Sequence, residues 1–183
     1  MDRRRRIIVC AVAGLAAIQL AIIVGVTWRS ADADIRSLSG VVRLDPRPSV
    51  ERIVIDTRAE KRSLLPSNRR PAIVHVWATW CKPCREELPD LIASIPELEE
   101  RGFGVVLASV DETWPVIDHY FEDATPAAVV RLPHDDARAL LGVETMPTTL
   151  VLDRQGGISH RLPGTQPWAS KAARQELVEL AAP

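Results

Sequence analysis

The sequence predicts an α/β domain with a central mixed sheet flanked by helices, preceded by one N-terminal transmembrane helix. Three observations carry that expectation. From Pro71 onward, short apolar runs alternate with amphipathic stretches, the pattern of a sheet with helices on its faces. Asp153-Arg154-Gln155-Gly156-Gly157 separates two apolar runs and reads as a hairpin. At the other end, Arg3, Arg4, Arg5 and Arg6 precede an uncharged run of 22 residues from Ile7 to Trp28.

The chain has 183 residues, 46% hydrophobic and 26% charged, enough for one domain plus an extension. Disorder, collagen and a disulfide-dense miniprotein are excluded. The net charge of −1 is an average over two unlike parts, since from Ser30 onward 18 basic residues face 23 acidic ones. Such a domain lacks the basic stripe or patch that nucleic-acid binding requires.

Taken in order, the elements begin with the apolar run. As a helix it spans roughly 33 Å, against a hydrocarbon core of roughly 30 Å, and only Gln19 and Thr27 interrupt it. Arginines before it predict a cytoplasmic N-terminus at 1–6, an anchor at 7–28 and an exported remainder. The site is thus expected on the periplasmic or outer side of the cytoplasmic membrane, on a single-pass protein. A cleaved signal peptide, with Ala31-Asp32-Ala33 as its processing site, and a buried core helix are the competing readings, but a secretory apolar region is usually shorter. Cys10 lies inside the run and reads as membrane filler.

Residues 29–49 are polar, contain Pro46 and Pro48, and read as a tether. The folded domain is expected over 50–183, with Val50, Ile53 and Ile55 suggesting a first strand. Ile73 to Trp77 is a buried strand candidate. Leu88, Leu91, Ile92, Ile95 and Leu98 form one stripe of the helix that follows, ended by Gly102, with a kink expected at Pro89. Phe103 to Val110 suits a central parallel strand. Thr113 is placed to cap a short helix through Phe121, with Pro115 in its first turn. A strand over Ala127 to Leu132, a helix over Asp135 to Leu141 stopped by Gly142, hairpin strands Thr148 to Leu152 and Ile158 to Leu162, and a helix from Pro167 to about Leu180 complete the series.

Chemistry concentrates at Cys81-Lys82-Pro83-Cys84, between a buried strand and a helix. A first thiol at a helix N-terminus has its thiolate stabilised by free amides and the positive end of the dipole, which makes Cys81 the nucleophile. Pro83 suits the first turn, and Cys84 is placed to close a disulfide onto Cys81 as the resolving thiol. Half of a zinc site is the competing reading, but a closed site takes four ligands, and no second Cys pair or spaced His pair exists. A purely structural disulfide is the other. It would require neither Trp80 before the first Cys nor Pro83 within the motif.

Trp77-Ala78-Thr79-Trp80-Cys81-Lys82-Pro83-Cys84-Arg85-Glu86-Glu87-Leu88-Pro89 resembles the active-site stretch of thioredoxin-like proteins, and most of all the membrane-anchored TlpA/ResA group. Thr145-Met146-Pro147-Thr148-Thr149, about 60 residues on, is similar to the second signature of that superfamily. The resemblance covers roughly residues 50 to 183 and implies a thioredoxin-like fold. It implies a cis proline at Pro147, with Trp80, Met146 and Pro147 contacting a substrate peptide. Glu87 stands where the group carries an acidic residue that tunes the thiols or relays protons; its plainer reading is dipole compensation. His75 departs from the pattern, since thioredoxins carry a buried Asp six residues before the first Cys. A proton relay and a hydrogen-bonded core His are both open readings of it. His119, His134 and His160 receive no role.

The activity implied is extracytoplasmic thiol–disulfide exchange that reduces exported proteins such as apocytochrome c through a mixed disulfide, with Cys81 exposed and Cys84 buried. No cofactor and no metal are called for. The partners implied are disulfide-containing exported substrates and a membrane electron donor, and the protein is expected to act as a monomer. A copper-binding thioredoxin-fold chaperone and a disulfide oxidase are the alternatives. A peroxidase of this fold would carry Thr-x-x-Cys, which is missing around Cys81.

Overall fold

The computed structural model describes residues 36–50, 53–64 and 69–181, together with position 19 in isolation. The basic N-terminus and, position 19 apart, the expected anchor lie outside the described residues. Among the described residues no helix is long and apolar enough to cross a membrane.

Eight strands form one mixed sheet: β1 (Val42–Arg43), β2 (Val54–Thr57), β3 (Glu60–Ser63), β4 (Ala72–Trp77), β5 (Gly104–Ser109), β6 (Val129–Arg131), β7 (Thr148–Leu152) and β8 (Ile158–Pro163). Their order across the sheet is β1-β8-β7-β4-β5-β6-β2-β3. β4, β5 and β6 run parallel, and the remaining pairs are antiparallel. Every residue of β4 and β5 is buried, so both faces of the sheet centre are covered. That is why these strands read as continuous apolar runs instead of alternating ones.

Helices α1 (Lys82–Glu100), α2 (Trp114–Tyr120), α3 (His134–Leu141) and α4 (Lys171–Leu180) supply the cover. Leu88, Leu91 and Leu98 of α1, Ile117 of α2, Leu141 of α3 and Leu177 of α4 join the core. α1 continues through both Pro89 and Pro96. Both prolines are exposed, on the side away from the core, where carbonyls that lose a donor can turn to water. Trp77 at the end of β4 meets Tyr120 and Phe121 at centroid distances of 5.6 and 5.7 Å, which seats the end of α2 on the sheet.

Several boundaries differ from those expected, each for a local reason. Thr113 stands at the N-cap of α2 in extended conformation, but its side chain makes no capping bond. α4 begins at Lys171, not Pro167, because Ser170 turns back to accept the Ala173 amide through Oγ at 3.3 Å. β3 has no apolar signature, since all four of its residues are exposed.

The packed body also reaches further toward the N-terminus than residue 50. Leu38 and Val50 are buried, β1 pairs with β8, and the Leu38 and Ser39 amides donate to Glu176 Oε2 and Gln166 Oε1, each at 2.9 Å. Residues 36–49, expected as tether, are therefore attached to the domain along its β8 edge. Their polar sequence concealed this because most of the attachment is through hydrogen bonds.

Candidate active site

Cys81 is the N-cap of α1, and its Sγ accepts the Cys84 amide at 3.3 Å. The two cysteines form a disulfide with their Cα atoms 5.3 Å apart. Cys84 is fully buried and Cys81 is 6% exposed. Cys81 is thus buried where the sequence predicted exposure, though it is the less enclosed of the two cysteines. No acidic residue lies in the first turn of α1, so nothing there offsets the attraction of the helix terminus for a Cys81 thiolate.

The turn leading into the motif is held by Asp111, just beyond β5. Its buried carboxylate accepts the Thr79 amide at 2.9 Å, the Thr79 hydroxyl at 2.7 Å and the Ser109 hydroxyl at 2.7 Å. With Thr79 fixed, Trp80 projects outward, 63% exposed. It borders a groove of about 820 Å³ shared with Val116, Glu112 and Arg131. A large apolar ring exposed beside a reactive sulfur can contact a substrate chain.

The Met146–Pro147 bond is cis. Val76 pairs with Thr148, so the antiparallel β4–β7 register puts Pro147 at the same sheet end as Trp77 and the motif that follows it. The Pro147 carbonyl accepts the Gly164 amide at 2.8 Å, and Met146 stays partly exposed.

Glu87, one turn after Cys84, points inward and is 6% exposed. Its Oε2 accepts the Gln166 amide at 2.6 Å, and its Oε1 lies 3.5 Å from His75 Nε2. Burial pushes the Glu87 carboxyl up to about 7. The Gln166 amide and the nearby Trp168 indole oppose that rise, the indole without completing a hydrogen bond. His75 is fully buried in β4, its Nδ1 2.9 Å from Thr149 Oγ1, and burial pulls its pKa down to about 3. A carboxyl that titrates near neutrality a turn from a buried thiol can exchange protons with it.

The structure thus gathers Cys81, Cys84 and Trp80 at the start of α1, Glu87 one turn below, and Met146 and Pro147 at the same sheet end. A model of the AhpC/TSA family matches residues 51–161, from before β2 to within β8. The chain belongs to the AhpC/TSA family.

The thiol-disulfide oxidoreductase ResA of Bacillus cereus is similar to this AhpC/TSA chain, 25% identical over 120 residues. The match covers 62% of this chain and 66% of that relative, just under two thirds of its length. Among solved structures, a protein described as thiol:disulfide interchange protein DsbE from Chlorobium tepidum superposes with a TM-score of 0.64 at 22% identity, over 76% of this chain and 99% of that one. A thiol:disulfide interchange protein of the thioredoxin family from Chlorobium tepidum superposes with a TM-score of 0.57 at 28% identity, over 76% and 97%. The fold is thioredoxin-like.

Within the family match, the position three residues before Cys81 is Ala78, buried and without a hydroxyl. The neighbouring Thr79 hydroxyl is engaged by Asp111. Asp111, Thr149, Gln166 and Trp168 all shape the site and were not foreseen. Asp111 alone carried a signal, as an acid directly following a central strand whose neighbour ends at the motif. The other three reach the site only through the closing of the sheet and the loop after β8.

Proposed function

We propose that this protein is a membrane-anchored, extracytoplasmic thiol–disulfide oxidoreductase that reduces disulfides in exported proteins. The observation that carries the reading is the disulfide at the start of α1, in which Cys81 keeps a slight exposure while Cys84 is sealed. In the reducing direction the Cys81 thiolate attacks a substrate disulfide, one substrate sulfur leaves as thiolate, and a mixed disulfide forms. Cys84 then loses its proton to the Glu87 carboxylate and its sulfur attacks Cys81 Sγ. The second substrate sulfur leaves with the bonding pair and takes up a proton, and the Cys81–Cys84 disulfide closes.

Trp80, Met146 and Pro147 serve as the substrate-contacting surface. The apocytochrome c disulfide, reduced to thiols before haem attachment, is the substrate suggested by the resemblance to the ResA group, and a membrane thiol donor restores the dithiol. The anchor at 7–28 keeps the domain, acting as a monomer, near both. An oxidase of the DsbA type would place a sizeable helical insertion beside the site, whereas α2 is the one helix between β5 and β6. The lack of a hydroxyl at Ala78 disfavours a peroxidase.

Trapping tests the reading. Cys84→Ser is expected to accumulate a mixed disulfide with exported client proteins through Cys81, and Cys81→Ser to abolish both trapping and exchange. A Cys84→Ser variant that traps nothing in its native cells, or a reduced wild-type chain that binds Cu(I) stoichiometrically and reduces no model disulfide, reverses the assignment.

A further inference from the structure

His75 Nε2 and Glu87 Oε1 face each other across 3.5 Å in the interior, and neither atom has a hydrogen-bond partner elsewhere. The remaining polar atoms of both groups are engaged. His75 Nδ1 meets Thr149 Oγ1 of β7, and Glu87 Oε2 accepts the Gln166 amide. The other groups around the pair are the Trp168 ring, edge-on to His75 at 6.4 Å with its indole N–H toward the carboxyl, and Cys84 a turn earlier on α1. Among the described residues no Lys or Arg forms an ion pair with either group.

A buried gap of this kind must hold one hydrogen. If both atoms lacked one, two acceptors would face each other in a medium that cannot solvate them. With Glu87 neutral, its O–H donates to Nε2, and Nδ1–H donates to Thr149 Oγ1. With Glu87 ionised, Nε2–H donates to the carboxylate, and Nδ1 accepts the Thr149 hydroxyl. The hydroxyl serves both arrangements because it can donate or accept.

We propose that His75 is the positioning partner of Glu87: the two share one hydrogen across the gap, and His75 changes tautomer each time Glu87 changes charge. This rests on the reading of Glu87 as the proton acceptor of exchange and gives that residue its missing counterpart. Between the two end states the Nε2 hydrogen crosses to Glu87 Oε1 and Nδ1 takes up a proton on its Thr149 side, so the ring is neutral in both. The net count balances, because the pair holds one hydrogen while Glu87 is ionised and two once it is neutral, a gain equal to the one proton Cys84 loses. The imidazole thereby stabilises both states of a carboxyl that burial alone would hold neutral.

The test uses the full-length oxidised chain with nitrogen-15-labelled histidine, read by NMR from pH 5 to 9, with the Glu87 carboxyl followed by carbon-13. The His75 ring is expected to stay neutral while its hydrogen moves from Nδ1 to Nε2 with the Glu87 midpoint, near 7. A fixed tautomer while Glu87 titrates, or a ring that becomes cationic as it does, overturns the proposal. His75→Leu removes a charge-assisted donor to the carboxylate and only a weaker neutral acceptor from the acid, and is therefore expected to raise the pH midpoint of exchange by about one unit, tenfold in proton affinity. A folded His75→Leu chain with an unmoved midpoint also overturns it. If the ring switches but Glu87→Gln leaves the exchange profile unchanged, the catalytic reading of Glu87 fails, and the role of His75 in exchange fails with it.

Discussion

At the scale of single residues, the pair of opposed titrations behind the disulfide makes stability depend on pH in a specific way. Folding raises Glu87 from 4.5 to about 7 and lowers His75 from 6.5 to about 3. Between pH 4.5 and 6.5 the folded pair holds one dissociable proton on Glu87, and the unfolded chain holds one on His75, so the pair adds no slope. Below 4.5 the unfolded chain binds a second proton that the folded pair refuses until about pH 3, and stability falls on acidification. Above 6.5 the unfolded chain has released its proton before the folded pair does at about 7, and stability falls slightly as pH rises. Glu87→Gln removes only the raised carboxyl, whose stabilising protonation is complete below 4.5 and lost through about 7. Its unfolding free energy is therefore expected to gain about 3 kcal/mol on wild type between pH 4.5 and 8. Urea titrations of the two oxidised chains at both pH values measure this, and a constant difference would show that Glu87 is ionised in the fold at all these pH values.

At the scale of elements, the sequence was most informative where burial is two-sided or a backbone position is demanding. β4 and β5 were legible as apolar runs, and α1 as a stripe. Gly142 was legible as the stop of α3, and it adopts φ 61° there. A Cβ at Gly142 would lie 2.7 Å from Arg161 Nη2, which donates to the Leu141 carbonyl at 2.9 Å. Gly142→Ala therefore combines left-handed backbone strain with displacement of a β8 side chain that caps the end of α3. A loss of about 1–2 kcal/mol is expected, read as a lower urea midpoint with an unchanged slope. Gly102 ends α1 with φ 85°, but nothing lies within 4 Å of its Cβ position, so substitution there carries backbone strain alone. β1 and β3 escaped the sequence because edge strands of four residues or fewer with exposed side chains have no hydrophobic period to display. Their signal is the partner strand, which is remote in sequence.

At the scale of the whole molecule, the chain between the expected anchor and the first buried strand is coupled to the site through one side chain. Ser39 and Gln166 hold each other: the Ser39 amide donates to Gln166 Oε1 at 2.9 Å, and Gln166 Nε2 donates to the Ser39 carbonyl at 3.1 Å. The Gln166 amide is in turn the donor to Glu87 Oε2. Polar composition and two prolines made 29–49 read as a spacer, since hydrogen bonds spanning more than a hundred residues leave no local pattern. A chain beginning at Glu51 loses the burial of Leu38, the β1 pairing and the grip on Gln166, whereas one beginning at Arg36 keeps all three. The shorter chain is expected to be less stable by about 2–4 kcal/mol. It should also show a higher pH midpoint of disulfide exchange, because the Gln166 amide lowers the Glu87 pKa and a loosened loop holds that amide less firmly. Parallel urea titrations and exchange profiles of the two chains check both effects. If stability falls with no movement of the midpoint, the segment only closes the sheet edge; if both move together, the root of the tether helps set the chemistry at Cys84.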